Sequence, residues 1–294
     1  MKIRKYGAID IGSNAVRLLV SNVIDYKGQV FFQKNALVRV PIRLGQDAFT
    51  KGEISKKNIG RIIKSMKAFR LLMKVHDVED YLAFATSAFR GAKNCSQVVE
   101  RVFNKSKIQI EIIDGKKEAK IISNTNVFEN IDIEKTFLCI DVGGGSTEIS
   151  ILKGGKRLNS NSFKIGTVRL LNKDFDQRIW NQLEIWVKKH TKIYSKVYLL
   201  GTGGNINKLH KISNVKDNRP ITFLTLNLIY NKLNELTYEE RIIDLGLNPD
   251  RSDVIIPATK LFLKIFEWSG AKVIYVPKVG LSDGMIRELY KNKN

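Results

Sequence analysis

An apolar-Asp-apolar-Gly tetrapeptide occurs twice in this chain, as Ile9-Asp10-Ile11-Gly12 and as Ile140-Asp141-Val142-Gly143, 131 residues apart. Each copy closes one apolar run and is followed by small polar residues and a second apolar run. Each therefore reads as a strand, a glycine-opened turn and another strand. The repeat predicts two similar domains, with two carboxylates at strand ends facing each other across a phosphate and a metal ion. The chain has 294 residues, 43% of them apolar, which is enough for two ordinary cores.

The pattern between the copies supports this division. Strands are expected at Ala8-Ile9-Asp10, Ala15–Val20 and Gln29–Phe32 as an antiparallel meander, followed by a long helix from about Ser55 to Lys74. The strand Tyr81–Ala85, a helix through Val98-Val99, the strand Ile108–Ile112 and a helix from about Lys116 to Asn126 complete one domain. The second half repeats the order with strands at Phe137–Asp141, Thr147–Leu152 and Arg157–Phe163, and helices from about Gly166 to Tyr194. The strand Val197–Leu200, further helices to Phe266, the strand Lys272–Val276 and a last helix from about Ser282 follow. A duplicated α/β fold with a ligand cleft between its halves is the expectation.

Composition narrows the chemistry. No apolar run is long enough to span a bilayer, and Met1–Lys5 leads into a strand, so a soluble cytoplasmic protein without a membrane partner is expected. Cys95 and Cys139 are far apart, and the three histidines, His76, His190 and His210, lack partners at ligand spacing, so zinc is disfavoured. Metal binding would rest on oxygen ligands, which favours Mg2+ or Mn2+. The net charge of +21 points to a polyanionic partner, although the lysines are scattered and form no long basic tract.

Three loops carry candidate chemistry. In Asp141-Val142-Gly143-Gly144-Gly145-Ser146-Thr147-Glu148 the consecutive glycines let backbone amides converge on an anion, and Ser146 and Thr147 add hydroxyls. A strand follows this loop, which excludes the dinucleotide-binding and Walker loops, both of which open a helix. The loop Gly201-Thr202-Gly203-Gly204-Asn205 does open a helix, and helix amino termini bind anions. Ala85-Thr86-Ser87-Ala88-Phe89-Arg90 places two hydroxyls and a guanidinium where a strand runs into a helix.

Together these segments resemble the Ppx/GppA family of exopolyphosphatases and guanosine pentaphosphate phosphohydrolases, within the actin, sugar-kinase and heat-shock chaperone superfamily. The similar segments are Ala8–Leu19, Arg43-Leu44-Gly45, Ala85–Asn94, Gly115–Ala119, Asp141–Glu148, Ile165–Leu170, Gly201–Gly204, Arg251–Ile255 and Gly280–Gly284, in order along the chain. The resemblance implies two ribonuclease H-like (actin-like ATPase) α/β domains with an interdomain active-site cleft. These are expected over residues 1–127 and 128–294, with the last helix, about 282–294, able to pack back on the first. It also implies that Glu118 activates water and that Glu148 faces the same cleft.

Three departures from the family pattern stand out. Lys117 replaces an acidic residue before Glu118, Asn205 replaces a threonine, and Gly280-Leu281-Ser282-Asp283-Gly284 lacks an arginine that many relatives carry. These changes bear on affinity for the phosphate chain more than on catalysis. The carboxyl-terminal hydrolase-like domain of longer members is not expected in this chain.

The function expected is Mg-dependent removal of terminal phosphate from inorganic polyphosphate. Asp10, Asp141 and Glu148 would hold or orient the metal, with Glu118 and Glu148 as catalytic carboxylates. Ser13, Asn14, Arg17, Thr86, Ser87, Arg90, Gly143, Gly144, Gly145, Ser146, Gly203, Gly204 and Asn205 would hold phosphates. The alternatives are 5'-phosphohydrolysis of guanosine pentaphosphate (pppGpp), a kinase of the same superfamily, and a non-catalytic protein that binds polyphosphate or RNA. No specific nucleic acid partner is expected, and a homodimer is left open.

Overall fold

Six consecutive buried residues, Tyr6–Ile11, form the inner end of β1 (Lys2–Ile11), a burial on both faces that only a central strand receives. The computed structural model describes residues 1–123, 125, 134–172 and 176–293. It divides into two compact units, residues 1–125 with 281–294 and residues 126–280.

In the first unit β1 pairs antiparallel with β2 (Ala15–Tyr26), which pairs antiparallel with the edge strand β3 (Gln29–Pro41). Two helices, α1 (Leu44–Thr50) and α2 (Lys56–Val75), lead to β4 (Asp80–Ala85), which lies parallel to β1 on its other side. The short α3 (Ser87–Arg90), then α4 (Cys95–Ser106), the two-residue β5 (Glu111–Ile112) and α5 (Gly115–Ser123) complete the run. The sheet order is β3-β2-β1-β4-β5.

In the second unit β6 (Phe137–Val142), β7 (Thr147–Lys153) and β8 (Lys156–Phe163) form the same antiparallel meander. After α6 (Thr167–Leu171) and α7 (Gln177–Thr191), β9 (Tyr198–Thr202) pairs parallel with β6. Then come α8 (Gly204–Ile212), β10 (Ile221–Thr222), α9 (Phe223–Glu235), α10 (Tyr238–Ile243), α11 (Pro249–Ser252), α12 (Ile255–Ser269) and β11 (Val273–Tyr275). The sheet order is β10-β11-β9-β6-β7-β8, so five strands repeat the first sheet and β10 is added at the edge. The final helix, α13 (Leu281–Asn292), belongs to the first unit.

Strand alternation sorts the first core into two layers. Ile9, Ile11, Val16 and Leu18 join Ile62, Met66 and Phe69 of α2 on one face of the sheet. Tyr6, Ala8 and Leu19 join Ile121 of α5 and Met285, Ile286 and Leu289 of α13 on the other. Ser55 caps α2 by accepting from the Asn58 amide at 3.3 Å, and Ile59, Ile62, Met66, Phe69 and Met73 recur at helical spacing along its buried stripe. The seating of α13 on α5 requires glycine at position 284, because a Cβ there would lie 2.3 Å from the Ile121 carbonyl oxygen.

Several expectations change in detail. The strand expected over Ile108–Ile112 pairs only at Glu111 and Ile112, since β4, its sole partner in the sheet order, pairs with it there through Phe84 and Ala85 alone. The helices expected from Gly166 to Tyr194 are α6 and α7, and α7 starts where the Asp176 carboxylate accepts from the Arg178 amide. The strand at Gln29–Phe32 extends to Pro41, paired along its length with β2. The α5 helix is described to Ser123, and the expected helix end at Asn126 and the domain boundary at 127/128 lie outside the described residues. Among the described residues no helix is long and apolar enough to cross a membrane.

Candidate functional site: two copies of one strand-turn-strand loop

In the second unit the antiparallel register sets Asp141 directly opposite Glu148, so both side chains emerge on the same face. The intervening loop is closed by a hydrogen bond from the Gly143 amide to the Ser146 carbonyl, 2.9 Å. Its outward carbonyls are taken up by the start of α6. The Thr167 and Val168 amides donate to the carbonyls of Gly143 and Gly144 at 3.0 and 2.8 Å, and Arg169 Nε donates to the carbonyl of Gly145 at 3.0 Å. The approach is close enough that a Cβ on Gly166 would stand 2.6 Å from Gly144 and Gly145 backbone atoms. With the carbonyls engaged, the amides of Gly144 and Gly145 have no protein acceptor among the described residues. That polarity suits an anion.

The two carboxylates of this loop are held by hydroxyls. Glu148, 4% exposed, accepts from Ser146 Oγ at 2.7 Å and from Ser162 Oγ at 2.9 Å. Asp141 Oδ2 accepts from Thr202 Oγ1 at 3.1 Å. Gly203 has φ +87, and a Cβ there would lie 2.5 Å from Asp141 Oδ1, so only glycine fits at this point. Asn205 Nδ2 donates to the Val142 carbonyl at 2.8 Å, which fastens the first turn of α8 to the end of β6. Arg251 Nη1 donates to the Gly204 carbonyl at 3.2 Å.

The first unit carries the same loop with different charges. Asp10 stands opposite Arg17 in the β1–β2 register, and their side chains form an ion pair at 2.7 Å. The loop closes through the Gly12 amide and the Ala15 carbonyl at 3.1 Å, matching the bond made by Gly143. The carbonyls of Ser13 and Asn14 accept from the amides of Gly45 and Arg43 beside α1, as Gly143 and Gly144 do at α6. Ser13 Oγ lies 2.8 Å from Ser87 Oγ, and the Thr86 amide and hydroxyl both donate to the Ile11 carbonyl. Ser13, Thr86 and Ser87 are thus gathered where β1 and β4 end side by side.

Glu118 is 9% exposed on the first turn of α5. Arg90 Nη1 donates to its Oε2 at 3.0 Å and to the Ile113 carbonyl at 2.7 Å, so the guanidinium is fixed to the backbone while it holds the carboxylate. Asp114 caps α5 through the Lys117 amide at 2.7 Å, which leaves Glu118 outside the capping interaction. Lys117, the unusual neighbour, pairs with Glu111 at 2.6 Å and lies over the Phe84 ring.

The structure therefore joins Arg90 to Glu118 and Ser13 to Ser87 in one unit. In the other it gathers Asp141, Glu148, the Gly143–Ser146 loop and Gly203 to Asn205. Sequence reasoning passed over Ser162, Thr202 and Arg169. Ser162 could have been found from the β7–β8 register, where it opposes Glu148, whereas Arg169 needed the fold of α6 against the loop. Among the described residues no cluster of three or more His, Cys, Asp or Glu side chains forms a ready-made metal cage.

These loops can be set beside known proteins. The Ppx/GppA phosphatase family model matches residues 23–293. The chain is 29% identical over 310 aligned residues to the bifunctional 3-dehydroquinate synthase/phosphatase of Fusobacterium nucleatum, a match that covers 97% of this chain and 46% of that protein. It is 24% identical over 300 residues to the putative exopolyphosphatase of Haemophilus influenzae, covering 97% and 90%. This chain thus spans about half the length of the first of these relatives and most of the second. Its fold is similar to that of an exopolyphosphatase from Cytophaga hutchinsonii, with a TM-score of 0.87 at 22% identity and 98% coverage of both chains. With a family match over nearly its whole length, the chain belongs to the Ppx/GppA phosphatase family.

Proposed function

We propose that this chain is a magnesium-dependent phosphohydrolase that removes the terminal phosphate of inorganic polyphosphate in the cytoplasm. The observation that carries the reading is the Gly143–Gly145 loop, whose carbonyls are turned into α6 and whose Gly144 and Gly145 amides are left to meet an anion, the Gly143 amide being used to close the turn. Cleaving a phosphoanhydride passes through a loose transition state with charge on the phosphoryl oxygens, so the protein must position groups and neutralise charge. The loop amides and Ser146 in the second unit, and Ser13, Asn14, Arg17, Thr86, Ser87 and Arg90 in the first, are the phosphate contacts of this reading. Glu118 takes the proton of the attacking water, and Arg90 keeps its carboxylate in one orientation.

Asp141 and Glu148 fit a divalent cation. Two carboxylates opposed on paired strands repel each other unless a cation is shared, and both supply hard oxygens. Magnesium commonly rests on one or two carboxylates, with water and substrate phosphate completing its shell, so a larger protein cage is not required. Bound there, the ion would neutralise charge on the phosphate oxygens. Asp10 would contribute through its pairing with Arg17.

The test is phosphate release from long-chain polyphosphate and from guanosine pentaphosphate, with and without magnesium, in wild type and Glu118→Gln. Magnesium-dependent release from polyphosphate that is lost in the variant is the expected result. Release from the pentaphosphate alone would transfer the reading to that nucleotide, and release from neither would sink it.

A further inference from the structure

The second unit holds a cavity of about 460 Å³ between α8 and α9 that contains none of the phosphate-loop residues. Its volume lies in the range of small-molecule sites. Three lysines line it, Lys208 and Lys211 on one face of α8 and Lys232 in the last turn of α9. None of the three is ion-paired to a carboxylate among the described residues. Lysines in the last turns of helices complement the helix dipole, which accounts for Lys211 and Lys232 taken singly. It does not account for Lys208, whose ammonium is drawn against the carbonyls of Leu245 and Gly246 at 3.1 and 2.9 Å. Burial, then the charges of Lys211 and Arg251, hold its pKa below the usual lysine value.

The rest of the lining is informative about the occupant. Ile212, Leu228 and Leu245 make one wall apolar, with Leu228 60% exposed. Inorganic polyphosphate has nothing to place on that wall. Asp244 also lines the cavity, where it would repel a bare polyanion and accept from a hydroxyl or amino group. We propose that this cavity binds an organic phosphate of nucleotide size, with its phosphate on Lys208, Lys211 and Lys232, its ring on the apolar wall and a donor group toward Asp244.

The test is calorimetric titration of the wild-type chain and of Lys211→Glu/Lys232→Glu with ATP, GTP and inorganic tripolyphosphate. ATP or GTP should bind the wild type and bind the double variant at least tenfold more weakly, with melting temperature and polyphosphate hydrolysis unchanged. Bound nucleotide should also protect Lys211 and Lys232 from acetylation, as read by mass spectrometry. The proposal is overturned if neither nucleotide binds at millimolar concentration, if the double variant binds as well as wild type, or if tripolyphosphate alone protects the lysines. Binding is read without turnover, so the result stands whether or not the chain hydrolyses polyphosphate.

Discussion

Arg17 Nη1 lies 2.7 Å from Asp10 Oδ2 across the β1–β2 pair, and 131 residues further on the same two positions hold Asp141 and Glu148. One hairpin sets opposite charges across its strands, and its copy sets two carboxylates there. Like charges directly opposite on neighbouring strands are destabilising, so the Asp141–Glu148 pairing itself works against the sheet. Glu148→Gln keeps an oxygen to accept from Ser146 and Ser162. It is therefore expected to raise the metal-free melting temperature slightly while phosphate release falls about 100-fold. Scanning calorimetry with a phosphate assay checks both signs.

Glu118→Gln is expected to lower kcat by about 10²–10⁴ while polyphosphate binding is nearly unchanged, because the base is lost and its volume kept. Arg90→Lys should lower kcat less, since an ammonium keeps a positive charge beside Glu118 but loses the planar guanidinium's remaining donors. Single-turnover release measured alongside equilibrium binding separates the two effects.

Gly203→Ala places a methyl group 2.5 Å from Asp141 Oδ1 in a backbone conformation that favours glycine. A loss of about 1–3 kcal/mol in unfolding free energy is expected. Urea titration measures it. A larger drop in activity than in stability would show that Asp141 has been displaced.

Asp47 ties α1 to the start of α2. Its Oδ2 accepts from the Ser55 amide at 3.1 Å, Ser55 Oγ at 2.5 Å and Asn58 Nδ2 at 2.7 Å. Partial burial alone would raise its pKa, but these hydrogen bonds and the charge of Lys51 outweigh that and hold it below the ordinary 3.8. A carboxylate depressed in the folded state stabilises the protein above its unfolded pKa, and this contribution is lost as pH falls through the folded value. Asp47→Asn should thus cost about 1–2 kcal/mol at neutral pH and progressively less below about pH 4. Urea unfolding of wild type and variant across that range checks the convergence.

The net charge of +21 should make polyphosphate hydrolysis sensitive to salt. With the Debye length falling from about 10 Å at 0.1 M to about 3 Å at 1 M, kcat/KM should fall steeply with ionic strength while kcat changes little. Equal sensitivity of the two would place the lysines outside substrate capture.

Much of this architecture was legible in one dimension. The duplicated Asp-Gly motif, the apolar runs separated by glycine-bearing turns and the helical spacing from Ile59 to Leu72 are local signals, and each became the element it indicated. The strand at Ile108–Ile112 did so only in part, since Glu111 and Ile112 alone pair with β4.

The sequence by itself determined that two similar α/β units would each present a carboxylate beside a glycine turn, since spacing, apolar periodicity and glycine placement suffice for that. The tertiary structure decided what those turns can do. Residues distant along the chain direct the Gly143–Gly145 carbonyls into α6, bring Arg90 to Glu118 and press Gly203 against Asp141. The reason is physical: an amide or a carboxylate acquires a function from the partners that occupy or leave open its remaining hydrogen bonds, and those partners are chosen by packing.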